Sequence, residues 1–309
     1  MIWIILGSIL GAIFLLLVVY MLVTGSIFFK IAFLRRKGDA EFAQNEDLES
    51  KNSPERKWLW SQTIEELTLI SYDNLKLKGY LIENKNSNKL AILVHGYHGR
   101  YYSLTIQAKF LYEYGYSLLL INNRCHDTSE GKYFTMGKKE TRDLNDWIKL
   151  MRNRFPTHEF ILMGASMGGH IVMMNEGEET NKEIKAIISD SGYANLKDAL
   201  KFELRNIKIP LKPIVLPFVN IYLILFKGFS LNNNTKKAAK KASAPLLLLH
   251  GTNDSKVEYK DLEINKNNFK DKVEVQTKTF EGAEHLEAIH TYKEEYKDTV
   301  ISFLKEHNL

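Results

Sequence analysis

The 309 residues contain one cysteine, Cys125, so the chain can form no disulfide within itself and must hold its fold by burying apolar surface. A lone cysteine fits a reducing compartment, although many bacterial surface proteins also lack disulfides. No charged side chain occurs from Ile2 to Phe29. No Lys or Arg stands in Met1-Ile2-Trp3 and the apolar run is longer than a signal peptide's, which argues against a cleaved signal peptide. The net charge of +5 comes without a basic stripe interleaved with aromatics, so nucleic acid is not an expected partner. No repeat recurs along the chain, and the histidines other than His285 and His290 form no metal pair with helical or hairpin ligand spacing.

What the first residues do contain is apolar length. About 20 helical residues cross a roughly 30 Å hydrocarbon core, and the uncharged run exceeds that with room for tilt. Bulky residues continue through Phe33-Leu34. The reading is an uncleaved transmembrane anchor over 1–30. A polar juxtamembrane linker or helix follows over 31–58, then a soluble domain over 59–309, long enough for one core. Lys30, Arg35, Arg36 and Lys37 lie on the carboxyl side of the anchor and nothing basic lies on the amino side. That bias places the domain on the cytoplasmic face of a single-pass membrane protein.

The domain alternates short apolar strands with helices, which argues for a mainly parallel sheet covered on both faces. Strands are expected over Glu66–Ile70, Lys76–Ile82, Leu90–Val94, Ser117–Ile121, Phe160–Met163, Ala186–Ser189, Leu246–Leu249 and Val273–Phe280. Helices are expected near Ser103–Tyr114, over Lys139–Arg154 with Leu144, Trp147, Ile148 and Met151 on one face, and over Ala288–Leu304.

Gly164-Ala165-Ser166-Met167-Gly168-Gly169 sits between a strand and a helix. Strand, Gly-x-Ser-x-Gly and helix together make a nucleophile elbow, whose turn is so tight that its flanks must be nearly free of side chains. The turn exposes the Ser166 hydroxyl and aims the Met167 N–H at the same point. A serine needs a histidine to take its proton and a carboxylate to orient that histidine. In the order Ser, acid, His, the acid is Asp254, in the loop after Leu246–Leu249, and the base is His285, just past the next strand. Asp190, at the end of another strand, is the rival acid. His290, five residues past His285, is expected to pack or face solvent within the last helix. The second oxyanion donor is the Tyr97 N–H, in the loop His95-Gly96-Tyr97-His98-Gly99, where glycines let main chain approach the reacting carbonyl. His95 is expected to brace that loop. Cys125, which follows a strand rather than an elbow, reads as a small buried residue and not as a nucleophile.

With these residues the chain resembles the α/β-hydrolase superfamily, from about Glu65 to about Leu304. It looks closest to membrane-anchored bacterial hydrolases related to the catalytic domain of prolyl oligopeptidases. That group has Asp-x-Arg-x-His-Gly-x-Ser-x-Gly after its fourth strand. Arg124, His126, Ser129 and Gly131 match this pattern, whereas Asn122 replaces the Asp and Asp127 replaces the Gly. The resemblance implies the superfamily's α/β fold and supports Ser166, Asp254 and His285 as its triad. It says little of substrate.

The stretch 195–243 is too long for an ordinary connection and is expected to form a helical cap. It is strongly apolar over Val219–Phe226 and is interrupted by Pro210, Pro213 and Pro217, which argue against a second bilayer crossing. Either the cap packs on the core or it faces lipid. Lys236, Lys237, Lys240 and Lys241 follow it; such a cluster would meet anionic headgroups at about 1 kcal/mol per charge or form a solvated helix face. The whole predicts a membrane-anchored serine hydrolase of carboxylic esters or thioesters with an apolar acyl part, needing no cofactor or metal. A serine peptidase and a non-catalytic binding protein on a hydrolase fold are the alternatives.

Overall fold

The computed structural model describes residues 1–35, 53–208 and 212–309. The polar segment expected to link anchor and domain falls mostly on 36–52, outside the described residues, as does Pro210. Apolar side chains run all round the first helix, α1 (Ile2–Ala32), which is long and apolar enough to cross a membrane. After α2 (Pro54–Ser61), whose Ser53 cap accepts the Arg56 N–H, come β1 (Glu65–Ile70), β2 (Lys76–Ile82) and β3 (Lys89–Val94). A 3-10 turn (Tyr101–Leu104) opens α3 (Thr105–Glu113), and β4 (Ser117–Ile121) and α4 (Lys138–Arg154) follow. Next come β5 (Glu159–Ala165), α5 (Met167–Met174) and β6 (Ile184–Asp190).

Between β6 and the seventh strand lie α6 (Leu196–Glu203), α7 (Lys212–Lys227) and α8 (Thr235–Ala239), so the long connection is helical as expected. In α8, Ala238 and Ala239 are buried while Lys236 and Lys237 point to solvent. The chain closes with β7 (Leu246–Gly251), α9 (Lys260–Phe269), β8 (Val275–Phe280), α10 (Ala288–Thr291) and α11 (Lys293–Glu306). The single last helix expected from the periodicity is two, because Tyr292 leaves helical backbone at φ −119°, ψ 37°.

The eight strands form one sheet in the order β1-β2-β4-β3-β5-β6-β7-β8. β2 pairs antiparallel with β1 and with β4; all later neighbours are parallel. β3 to β7 are buried on both faces, as their unbroken Leu, Ile and Val runs require, whereas the parallel edge strand β8 is only partly buried. Alternate residues feed two cores. Ile92 and Val94 join Trp147 of α4 and Ile171 of α5 on one face; Ala91 and Leu93 join Ala108 of α3 and Tyr296 of α11 on the other. The parallel order puts the carboxyl ends of β3, β5, β6 and β7 along one rim, where open α/β sheets place their sites.

The end of α1 belongs to the first of these cores. Phe29 and Phe33 are buried among Phe134, Phe229 and Cys125. Arg35 N–H donates to the Lys132 carbonyl and Phe134 N–H to the Phe33 carbonyl, both at 3.0 Å. α1 therefore runs past the boundary expected at residue 30, and the chain beyond it is stitched to the domain.

Candidate active site

Ser166 stands between β5 and α5 at φ 56°, ψ −118°, a conformation an L-residue adopts only when its surroundings impose it. The surroundings are tight. A Cβ at Gly164 would overlap the Gly168 carbonyl, and one at Gly168 would overlap the Val94 carbonyl. The Ser166 N–H is held by the Asp190 carbonyl at 2.8 Å.

The carboxyl ends of β5 and β7 and the loop after β8 converge here. Ser166 Oγ lies 2.9 Å from His285 Nε2, and His285 Nδ1 lies 2.7 Å from Asp254 Oδ2. Asp254 Oδ1 accepts the N–H groups of Lys256 and Val257, both at 2.8 Å. Burial alone would raise the Asp254 carboxyl. Hydrogen bonds from His250 and His285 and the nearby positive charge outweigh it, and hold Asp254 well below the usual carboxylate range. An ionised Asp254 fixes the tautomer: Nδ1–H donates to it and Nε2 is left to accept the Ser166 hydroxyl.

Gly96 packs against the serine; a Cβ there would sit 3.1 Å from Ser166 Cβ. That brings the β3 loop at Gly96, one residue before Tyr97, against Ser166. Met167 is the first residue of α5, where a helix N–H has no partner within the helix. The loop is braced by two neutral histidines. His95 Nδ1–H donates to the Gly96 carbonyl at 2.7 Å while its Nε2 accepts the Asn123 N–H at 3.1 Å. His126 Nδ1–H donates to the Arg124 carbonyl and its Nε2 accepts the His98 N–H. Burial pushes His95 down to about 3, helped by its neighbour His126, and His126 itself down to about 4. Tyr97 turns its ring onto Phe134 and donates its hydroxyl to the Ala32 carbonyl at 3.2 Å, which ties the loop to the end of α1.

The rivals lie elsewhere. Asp190 is buried against Tyr296 and Ser191, with its Oδ2 accepting the Tyr296 hydroxyl at 2.9 Å, and has no contact with His285. His290 is exposed on α10. Cys125 is buried, and burial pushes its thiol up to about 12. The positions that depart from the resembled motif face each other: the Asn122 amide donates to Asp127 Oδ2 at 3.1 Å, and Asp127 takes φ 45° where the pattern has glycine.

Three neighbours escaped the sequence reading. His250 Nε2 lies 3.3 Å from Asp254 Oδ2 and 3.1 Å from the Val257 carbonyl. Its place four residues before Asp254 was the available signal. Asp73 and Asp143 both clamp the buried Arg124, each through paired N–H···O bonds. These partners are distant in sequence and carry no local mark.

A family model described as serine aminopeptidase, S33, matches residues 85–222, which include Ser166 but end before Asp254 and His285. Uncharacterized protein YqkD of Bacillus subtilis (strain 168) is 25% identical over 181 residues, 58% of this chain and 59% of that protein. This match thus spans less than two thirds of the relative's length. Esterase Pf2001 of Pyrococcus furiosus superposes with a TM-score of 0.66 at 27% identity, over 80% of this chain and 93% of that one. The acylaminoacyl peptidase of Pyrococcus horikoshii superposes at 0.58 and 18% identity, over 81% of this chain and 42% of its own, a likeness of fold alone.

Proposed function

The chain belongs to the α/β-hydrolase superfamily, and on that premise we propose that it is a membrane-anchored serine hydrolase of carboxylic esters or thioesters, with Ser166, His285 and Asp254 as its triad. The observation that carries this reading is the unbroken hydrogen-bonded path from Ser166 Oγ through His285 to a buried, ionised Asp254, on a strained elbow. Ser166 Oγ attacks the acyl carbon while its proton passes to His285 Nε2. The Tyr97 and Met167 N–H groups receive the oxyanion. The tetrahedral intermediate collapses, the alcohol or thiol leaves with the proton from His285, and Ser166 is acylated. Water then gives a proton to His285, attacks the acyl carbon and frees the acid, and Ser166 regains its hydrogen.

The esterase Pf2001 supports ester cleavage, and the S33 description supports a second reading as a peptidase. Residues 1–30 are proposed as the anchor and 59–309 as the hydrolase, with the helices of 195–243 as its cap. The bias of Lys30 and Arg35–Lys37 supports a cytoplasmic domain.

The test is hydrolysis of p-nitrophenyl esters of graded acyl length, beside aminoacyl-amides, by the full chain in detergent and by Ser166→Ala. Ester turnover that vanishes in Ser166→Ala is expected. Amide turnover alone would make it a peptidase. Folded protein that neither turns over nor takes a fluorophosphonate on Ser166 would leave a binding protein.

A further inference from the structure

α7 lies along α1 and in step with it. Tyr20 meets Phe218 edge-on with ring centroids 5.8 Å apart, and the Lys227 ammonium sits 4.3 Å over the Phe29 ring. Between these contacts Gly25 presses on Tyr222, where any Cβ would overlap the tyrosine. The pairs 20/218, 25/222 and 29/227 advance together, so the two helices run parallel.

Only from Ile2 to Leu17 is α1 bare at every position; beyond Leu17 one face is covered by the domain while Val19, Val23, Ile27 and Ile31 stay exposed on the other. Sixteen residues at 1.5 Å each make about 24 Å, short of a hydrocarbon core of about 30 Å. An α1 that crosses the bilayer must therefore bring part of α7 to the hydrocarbon with it. The outer face of α7 suits that surrounding. Pro213, Pro217, Ile221, Ile224, Leu225 and Phe226 are exposed there, with Leu225 64% and Phe226 54% accessible, and no charge occurs from Pro213 to Phe226. A solvated surface helix carries its polar residues on that side. Lys212, at the amino end, turns its ammonium back onto the carbonyls of Arg205 and Ile207 at 2.7 and 3.1 Å, while Lys227 and Lys30 stand at the other end.

We propose that α7 is seated in the bilayer beside α1, its outer face in the acyl layer of one leaflet, and that the Ser166 site takes acyl esters held in that leaflet. The two helices are linked to the site in different ways. α1 ends on Tyr97 of the loop packed against Ser166, and α7 belongs to the connection that leads to β7 and Asp254. The substrate clause rests on the serine-hydrolase reading; the seat of α7 does not.

Two measurements on the full chain test it. In the first, nitroxides are placed at Ile221→Cys and Leu225→Cys, with Glu263→Cys on α9 as the aqueous reference, in vesicles of phosphatidylcholine with some phosphatidylglycerol. The buried native Cys125 stays unlabelled. Oxygen should relax labels 221 and 225 and a nickel chelate should relax 263. Nickel relaxation at all three would overturn the seat. So would labels 221 and 225 that are immobile and shielded in detergent as well, which would mean that a second copy covers α7. In the second, Leu225→Glu should leave fluorophosphonate labelling of Ser166 and turnover of a short soluble ester unchanged. It should lower hydrolysis of a long-chain monoacylglycerol in the same vesicles by about tenfold, as a charge resists entering hydrocarbon. Equal rates on both substrates would overturn delivery from the leaflet. Absence of fluorophosphonate labelling would instead remove the hydrolase reading, while the nitroxide depths still decide the seat.

Discussion

His250 Nε2 lies 3.3 Å from Asp254 Oδ2, the oxygen that also meets His285. Burial alone would lower the His250 pKa, but the hydrogen bond to Asp254 and its charge raise it. When it holds a proton, His250 stands near the imidazolium that the proposed reaction forms on His285 and opposes it. His250→Gln is expected to move the acid limb of kcat/KM to higher pH, since a neutral neighbour no longer opposes that charge. Its effect on kcat should stay within about tenfold, because two backbone N–H groups still hold Asp254. Asp254→Asn, which spoils the tautomer, should cost about a thousandfold or more. A pH–rate profile of each variant checks both.

His170 is buried between the Tyr193 carbonyl, which accepts from Nδ1–H at 2.8 Å, and the Asn233 amide, 3.0 Å from Nε2. Burial holds it down to about 4. It stays neutral in the fold below pH 6.5, where the unfolded chain binds the proton, so its contribution to stability is lost as pH falls from about 6.5 to about 4. His170→Gln can keep both hydrogen bonds and binds no proton. Relative to the unsubstituted chain, its stability should improve on going from pH 7 to pH 4.5 by about 2 kcal/mol, read from urea midpoints at the two pH values.

Asn122 and Asp127 stand where the resembled motif has Asp and Gly, and a hydrogen bond pairs the two departures. Asn122 is fully buried, with its Oδ1 accepting the Tyr101 N–H at 2.6 Å. A carboxylate at 122 would face the Asp127 carboxylate. Asn122→Asp should cost about 3 kcal/mol at pH 7, and adding Asp127→Gly should recover most of it, since glycine takes the positive φ without strain. Denaturant midpoints around the double-mutant cycle measure the coupling.

The elbow was legible because its chemistry is local: Gly164 and Gly168 are set by the turn itself, and the strand and helix beside them have clear patterns. The candidate acid followed from the leucine run of β7 and the candidate base from the alternation of β8. What could not be read were contacts between distant segments. Phe33-Leu34 looked only like a continuation of the apolar run, and nothing local shows that Phe33 enters the core or that Arg35 binds the Asp127 and Ser129 carbonyls. The clamp of Asp73 and Asp143 on Arg124 is of the same kind. The break at Tyr292 was missed because the helical periodicity continues across it.

The Tyr97–Ala32 hydrogen bond ties the end of α1, the candidate membrane span, to the loop packed against Ser166. Tyr97→Phe removes that bond and keeps the ring on Phe134, so the melting temperature in detergent should fall little, by the equivalent of about 1 kcal/mol. If the bond holds the loop in register with Ser166, kcat should fall several-fold with KM less affected, because the oxyanion donors act most in the transition state. Phe33→Ala acts differently. It empties a fully buried site packed by Phe29 and Phe229, should cost about 3–5 kcal/mol, and should lower the melting temperature before any change in the kinetics of the folded fraction. A chain cut after Arg35 would combine both losses, so it should melt well below the full chain in the same detergent. Equal melting of the cut and full chains would show that the domain does not need the end of α1.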